Sequence, residues 1–366
     1  MTSTAATRTT LYPQEPSTDY PAGSLRFDWA VVLASLWFIA GLFLDGWAHA
    51  NLASALESFF TPWHGVLYSG FFAVAVVLLV CQARNMMRGH IWMQALPRSY
   101  LLALLGAALF SLGGVGDLVW HTILGIEANA EALLSPSHLV LATGAMLFIT
   151  GPLRAAWARS PAETRPGWAG LSPAIIALLM ALSLLTFFTQ YAHFMNTPAL
   201  LVNRPGGDVY LTNLYGITTA LIPAVLIMGV ALFALRRWEL PPGSLTLLLT
   251  VNTTLMWALR YNRNSAFWML LLAAFTAGLV GDLLLSWLKP SAVRISALRV
   301  FAFSVPFMLI LCDHLAVLAT AGLWWKIHMW LGLPFVTGVA GLLLSFLAYP
   351  PPLPVERIPP GEPAPV

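Results

Sequence analysis

The chain has 366 residues, 58% of them hydrophobic and only 9% charged, with a mean hydropathy of +0.77. Soluble domains carry about 25% charged residues, so the composition excludes an ordinary water-soluble domain and predicts an all-α, polytopic helical bundle in a lipid bilayer. The formal net charge of +3 comes from scattered Lys and Arg and carries no nucleic-acid signal, and the absence of GxGxxG, Walker and HExxH patterns leaves nucleotide binding unsupported.

Residues 1–27, rich in Thr, Ser and Pro, read as a disordered tail. A membrane-spanning helix needs roughly 20 apolar residues. Ten runs approach or meet that length: 29–50, 62–83, 99–122, 136–156, 172–195, 211–235, 243–259, 266–288, 298–322 and 328–348. Ala48-His49-Ala50 imitates a signal-peptidase site, but the leader would be unusually long and cleavage would discard Asp45 and His49. That segment is expected to be a retained helix. The expected organisation is a first half over 28–158, built from hairpins 28–83 and 99–156, and a cytoplasmic linker over 159–170. A second half over 171–349 and a Pro-rich tail over 350–366 complete it. Cys81 and Cys312 offer no disulfide framework.

Lys and Arg set the orientation. With the N-terminus in the cytoplasm, Arg204, Arg260, Arg263 and Lys326 face outward and the other fourteen of the 18 basic residues face inward. Both termini are then cytoplasmic. Most of the histidines fall near the outer ends of the spans, and they define a polar layer on the extracytoplasmic side.

Two stretches in that layer repeat each other. Asp45-x3-His49 is followed by Glu57, Thr61-Pro62 and His64, and Asp117-x3-His121 by Glu131, Ser135-Pro136 and His138. The pattern continues as x-V-L-x-[ST]-G to Gly70 and Gly144, with two residues more in the second connecting loop. Such a repeat points to duplication of a helical hairpin. Asp and His four apart share one helix face, and Ser/Thr-Pro marks an N-cap followed by the first helical residue. Each hairpin therefore brings one carboxylate and two imidazoles to the same depth. Two such groups form two mononuclear centres or one dinuclear centre. Glu57, Glu127 and Glu131 lie in the connecting loops, close enough to join the ligands, and Glu57 and Glu131 are candidate general bases.

Carboxylate and imidazole suit copper, zinc or iron, and a bound cation offsets the cost of burying such groups in a membrane. The second half carries secondary candidates: His193 after the fifth run, adjacent Asp313 and His314 in the ninth, and His328 at the start of the tenth. His314 and His328 leave haem as an alternative cofactor. Asp282, in a partial echo of the Asp117 segment, reads as structural or interfacial.

The order Asp, three residues, His, then a second His resembles a motif in a copper-ligating membrane subunit of the copper membrane monooxygenases, the particulate methane and ammonia monooxygenase family. The resemblance covers about residues 45–144. Here the intervals before the second His are 14 and 16 residues, longer than in the family, and the second set begins with Asp117 where the family has Asn. It implies that Asp45, His49 and His64 form one copper ligand set and Asp117, His121 and His138 the other. It further implies oxidative chemistry on a small or lipophilic substrate, favours copper over zinc or iron, and requires partner subunits or a redox partner to supply electrons. A zinc-dependent intramembrane hydrolase and a metal or proton transporter or metal-delivery protein are the alternative readings.

Overall fold

In the computed structural model, residues 19–52, 60–125, 130–160, 167–196, 198–202, 206 and 208–351 are described. They are predominantly helical, with no strand among the described residues. In chain order the helices are α1 (Leu25–Asn51), α2 (Pro62–Met86), α3 (Leu101–Leu124), α4 (Ala130–Leu134), α5 (Pro136–Ile149), α6 (Gly151–Ala158), α7 (Trp168–Phe188) and α8 (Pro198–Val202). They continue as α9 (Val209–Leu235), α10 (Ser244–Leu259), α11 (Tyr261–Asn264), α12 (Met269–Leu288), α13 (Ile295–Thr320), α14 (Ile327–Trp330) and α15 (Gly332–Ala348).

Nine segments among the described residues are long and apolar enough to cross a membrane. α5 and α6 join in one of them, and α14 and α15 in another. The remaining expected run, 243–259, forms the 16-residue α10, about 24 Å at the helical rise and short of the ~30 Å hydrocarbon core. The run expected over 172–195 stops as a helix at Phe188.

The chain divides into two compact units, one of residues 1–189 with Ala258–Asn262, the other of Gln190–Trp257 with 263–366. In the first, α1 packs along α2 and α3 along α5, and both pairs use the same device. A Cβ on Gly41 would lie 2.7 Å from the Leu67 backbone and one on Gly70 2.5 Å from the Phe38 backbone. In the second pair a Cβ on Gly144 would lie 2.7 Å from backbone atoms of Gly106 and Phe110, and one on Gly113 3.1 Å from Leu141. Small residues at these positions let two helices approach closely enough for dispersion to hold them in lipid. Phe38 and Phe110 precede Asp45 and Asp117 by seven residues each. With Phe71 and Phe148 they form an aromatic cluster, its ring centroids 4.5–5.8 Å apart for the Phe71–Phe110, Phe38–Phe148, Phe38–Phe110 and Phe110–Phe148 pairs.

Both ends of α1 are tied down. Near its N-terminus the buried Asp28 accepts the Tyr100 hydroxyl at 2.6 Å and pairs with Arg159. At its C-terminus the Asn51 amide donates to the carbonyls of Trp47 (2.8 Å) and Leu259 (3.0 Å) and accepts the Asn262 N–H at 3.1 Å. Residues 259–262 are therefore held against the end of α1.

In the second unit α13 packs between α12 and α15, with α9 against α13 and α15. Asp282 accepts the N–H groups of Leu245 (3.1 Å) and Thr246 (2.9 Å) and the Thr246 hydroxyl (2.6 Å). Its role is structural: its carboxylate caps the start of α10.

Candidate metal centre

The repeated hairpin ends assemble two separate groups of metal-ligating side chains, Asp45 with His49 and His64, and Asp117 with His121 and His138. Within each group one donor atom from every residue lies within 4.8 Å of the others. α1 and α3 present the Asp and first His on one face at their final turns. The helices restart at Thr61-Pro62 and Ser135-Pro136, which places the second His in the first turn of α2 and α5.

In the second group His138 Nε2 stands 3.3 Å and His121 Nε2 3.5 Å from Asp117 Oδ1. The His138 Nδ1–H donates to the Ala132 carbonyl (2.5 Å) and toward Ser135 Oγ (2.8 Å), and the His121 Nδ1–H points to the Gly125 carbonyl at 3.3 Å. Because a carbonyl can only accept, these contacts put the ring proton on Nδ1 and turn the Nε2 lone pairs toward Asp117. That is the arrangement in which an outer hydrogen bond orients a histidine ligand. Ser137 donates to Asp117 Oδ1 at 2.8 Å and fixes the carboxylate, whose side chain is only 2% exposed.

The first group is looser. His64 Nδ1 is 3.5 Å from Asp45 Oδ1 and His49 Nε2 3.8 Å from Asp45 Oδ2, and the His49 side chain is 37% exposed. Thr61 Oγ1 accepts the His64 backbone N–H at 3.1 Å, a true N-cap, and also contacts His64 Nδ1 at 2.9 Å. Asp45 Oδ1 is buried with no hydrogen-bond partner among the described residues. In the second copy Ser135 makes no capping bond and is engaged by the His138 ring instead.

The spacings of carboxylate and imidazole suit an ion held between them. The four carboxylate–imidazole distances run from 3.3 to 3.8 Å. Bonds of roughly 2.0–2.2 Å to a central ion place two tetrahedral ligands about 3.3–3.6 Å apart, which matches the second group and one edge of the first. The buried, unpartnered Asp45 oxygen fits the same description, since a cation would satisfy it. Each group could therefore hold a metal ion with room for a further ligand.

The two groups are neighbours without merging. All three side chains of the first lie within electrostatic reach of Asp117 or His138 in the second. Tyr68, one turn after His64 on α2, stacks on that imidazole with ring centroids 6.5 Å apart. Its hydroxyl would stand 3.0 Å from a Cβ on Gly114, one turn before Asp117 on α3. Tyr68 thus fills the seam between the hairpins.

Other expected ligands are placed elsewhere. Glu57 and Glu127 lie outside the described residues. Glu131 is exposed on α4, in a cleft with Trp120, Leu134 and Ser135, and joins neither group. His193 is buried in a 3-10 segment after α7, where its Nδ1 accepts the Met195 N–H at 3.2 Å and its ring stacks on Phe194. Asp313 and His314 are buried together on α13, whereas His328 is exposed on α14 and takes no part with them. The two imidazoles that left haem as an alternative cofactor thus differ in burial.

Ser137 and Tyr68 were not anticipated from sequence. Ser137 has no counterpart in the first hairpin, where Trp63 holds the position, and Tyr68 corresponds to Ala142. The packing glycines did leave a signal: the repeat extends upstream as Phe-x2-Gly-x3-Asp-x3-His, from Phe38 and from Phe110.

Fold and site together define a multi-pass helical membrane protein carrying two Asp/His/His groups able to ligate a metal ion. No family model, no curated protein and no solved structure matches the chain.

Proposed function

We propose that the protein is a membrane metalloprotein in which the two neighbouring triads each bind a transition-metal ion, copper favoured, for oxidative chemistry on a small or lipophilic substrate. The observation that carries the reading is the ligand geometry: one carboxylate and two imidazoles converge in each triad, and in the second triad backbone carbonyls engage Nδ1 of both imidazoles and leave Nε2 facing Asp117. Mixed imidazole and carboxylate sites bind Cu²⁺ more tightly than Zn²⁺ or Fe²⁺ in the general affinity order, and the motif resemblance to the copper membrane monooxygenases points the same way. When bound, copper would supply one-electron redox chemistry. The chain's own contribution is to hold the ligands, to orient them through Ser137, Ala132 and Gly125, and to keep the surroundings apolar. The distribution of basic residues supports cytoplasmic termini and triads on the extracytoplasmic side, where a redox partner or partner subunits would deliver electrons.

The test is elemental analysis of the detergent-purified protein beside a His64→Ala/His138→Ala variant. About two equivalents of copper, lost in the variant, are expected. Zinc lost in the variant would replace the oxidative reading by metal-activated hydrolysis. No bound metal in the wild type, in buffers that retain weakly held ions, would overturn the proposal.

A further inference from the structure

The second unit contains a buried acid that the metal sites do not use. Asp313, on α13, is 4% exposed, and both of its carboxylate oxygens are buried without a hydrogen-bond partner among the described residues. An ionised carboxylate buried without a hydrogen-bond donor from the protein is among the costliest groups a fold can carry. Its neighbour His314 is 3% exposed, with Nδ1 2.6 Å from the Trp330 carbonyl and its ring edge-on to Trp325. The carbonyl can only accept, so His314 carries its proton on Nδ1 and keeps Nε2 as an acceptor.

Asp313 and His314 line one cavity, with Thr219 of α9 as the other polar contributor and a wall of Phe194, Leu201, Leu270 and Ile310 among others. About 20 Å³ of it is open to the centre of a water molecule, and a single water needs roughly 10–15 Å³. The Thr219 hydroxyl is already donated to the Gly216 carbonyl at 2.9 Å. The wall residues supplied by α8, α9, α12 and the segment around Phe194 include no titratable or charged side chain. His193 lies behind Phe194, and on α13 itself the nearby titratable groups are Cys312 and His314.

Three occupants would relieve the carboxylate. A hard cation such as Ca²⁺ or Mg²⁺ requires about six oxygen ligands, and this cavity offers two residues with oxygen side chains. A transition metal would need at least one ligand beyond this pair. Among the described residues no third ligand brings them into a metal-binding group. A proton needs neither.

We propose that Asp313 and His314 form a proton-binding site, in which Asp313 is a neutral carboxylic acid joined through one water to His314 Nε2. The acid O–H donates to the water, and the water donates to the imidazole. Transfer along that chain moves the acid proton to the water and a water proton to Nε2, leaving a carboxylate and an imidazolium, and the reverse transfer restores the neutral pair. The site lies wholly within the second unit and stands or falls independently of metal binding by the triads.

The experiment is infrared spectroscopy of the full-length protein in lipid nanodiscs, with and without ¹³C-labelled aspartate. At neutral pH a neutral-carboxyl C=O band that shifts with the label is expected. It should vanish in Asp313→Asn and move to higher frequency in His314→Phe, which removes the acceptor at the end of the chain. Asp313→Glu keeps an acid in place and should retain a band that no longer responds to the aspartate label, so the assignment survives if Asp313→Asn fails to fold. Absence of a label-sensitive neutral-acid band in the wild type would overturn the proposal, as would its persistence in both Asp313 variants. Loss of the band on adding sodium chloride would assign the carboxylate to a metal cation instead. An unmoved band in His314→Phe would remove the water–imidazole link.

Discussion

The two triads share one sequence pattern, yet they are not equally finished. Asp117 receives a hydrogen bond from Ser137 and faces two imidazoles whose Nδ1 atoms are anchored on backbone carbonyls. Asp45 has an unpartnered buried oxygen, its His64 approaches through Nδ1, and its His49 is substantially exposed. The difference teaches that the ligand pattern sets which groups meet, while the residues around it set how firmly they are held. The second site is preorganised and the first is adjustable. On physical grounds the second should bind an ion more tightly and the first should exchange its ligands more readily.

The largest expected effect comes from removing each carboxylate in turn. Asp117→Ala should abolish one metal equivalent and leave the other, and Asp45→Ala should do the same from the opposite side. Metal content per protein after dialysis against a graded chelator series measures this. In the wild type the two equivalents should leave at different chelator strengths, and the equivalent missing in Asp117→Ala should be the tighter one. Simultaneous loss of both ions in either variant would show a single coupled centre in place of two neighbours.

Next in size is the packing beneath the triads. A methyl added at Gly70 or Gly144 would meet backbone atoms of the facing helix at 2.5 and 2.7 Å, and backbone cannot swing aside. Either Gly→Ala change should destabilise the protein by about 1–3 kcal/mol, the usual range for overpacking. A thermal melt in detergent would read it. Gly65→Ala on α2 is the control, because among the described residues no atom outside its own helix lies within 4 Å of its added methyl. Equal losses at Gly65 and Gly70 would remove helix approach as the cause. The Gly144 change should also loosen the second site, since α3 carries Asp117 and α5 carries His138.

These comparisons also mark how far the sequence could be read. Asp45 and His49, and Asp117 and His121, share a face by spacing alone, and Thr61-Pro62 and Ser135-Pro136 announce where α2 and α5 begin. A loop short enough to return the chain then has to bring the second histidines alongside. The order of the apolar spans followed from hydropathy. What hydropathy could not do was separate a spanning helix from a buried turn. The run after Trp168 stays apolar past Phe188, because Ala192, Phe194 and Met195 are buried in the short 3-10 turns that follow the helix. The ring tautomers were equally hidden, since the Ala132 and Gly125 carbonyls that set them belong to the backbone and leave no residue signature. The Asp313 cavity needs α9 and α12 beside α13, and no local pattern encodes that.

A smaller and more discriminating effect lies in Ser137. Its hydroxyl touches no ion, but it holds Asp117 Oδ1 at 2.8 Å. Ser137→Ala should weaken the second site by about 10–100-fold, as loss of an outer hydrogen bond to a ligand commonly does, with the first site unchanged. The converse change is Trp63→Ser, which gives the first hairpin the hydroxyl it lacks. If Ser137 is the source of the asymmetry, Trp63→Ser should narrow the gap between the two chelator midpoints. A gap unaltered in both variants would place the difference in the histidine tautomers.

The smallest effect separates two residues that occupy the same place in the repeat. Thr61 caps α2 through the His64 backbone N–H, so Thr61→Ala should cost about 1 kcal/mol of stability, the typical loss of an N-cap, and lower the melting temperature slightly. Ser135 makes no such bond and instead meets the His138 ring at 2.8 Å. Ser135→Ala should therefore leave the melting temperature nearly unchanged while altering metal retention at the second site. Because the His138 Nδ1–H keeps the Ala132 carbonyl as a partner, that change should be smaller than the Ser137→Ala effect. Matching losses of stability at Thr61 and Ser135 would mean that both act as caps. A duplicated Ser/Thr-Pro motif would then have kept one role in both copies, rather than being turned in the second from starting a helix to orienting a ligand.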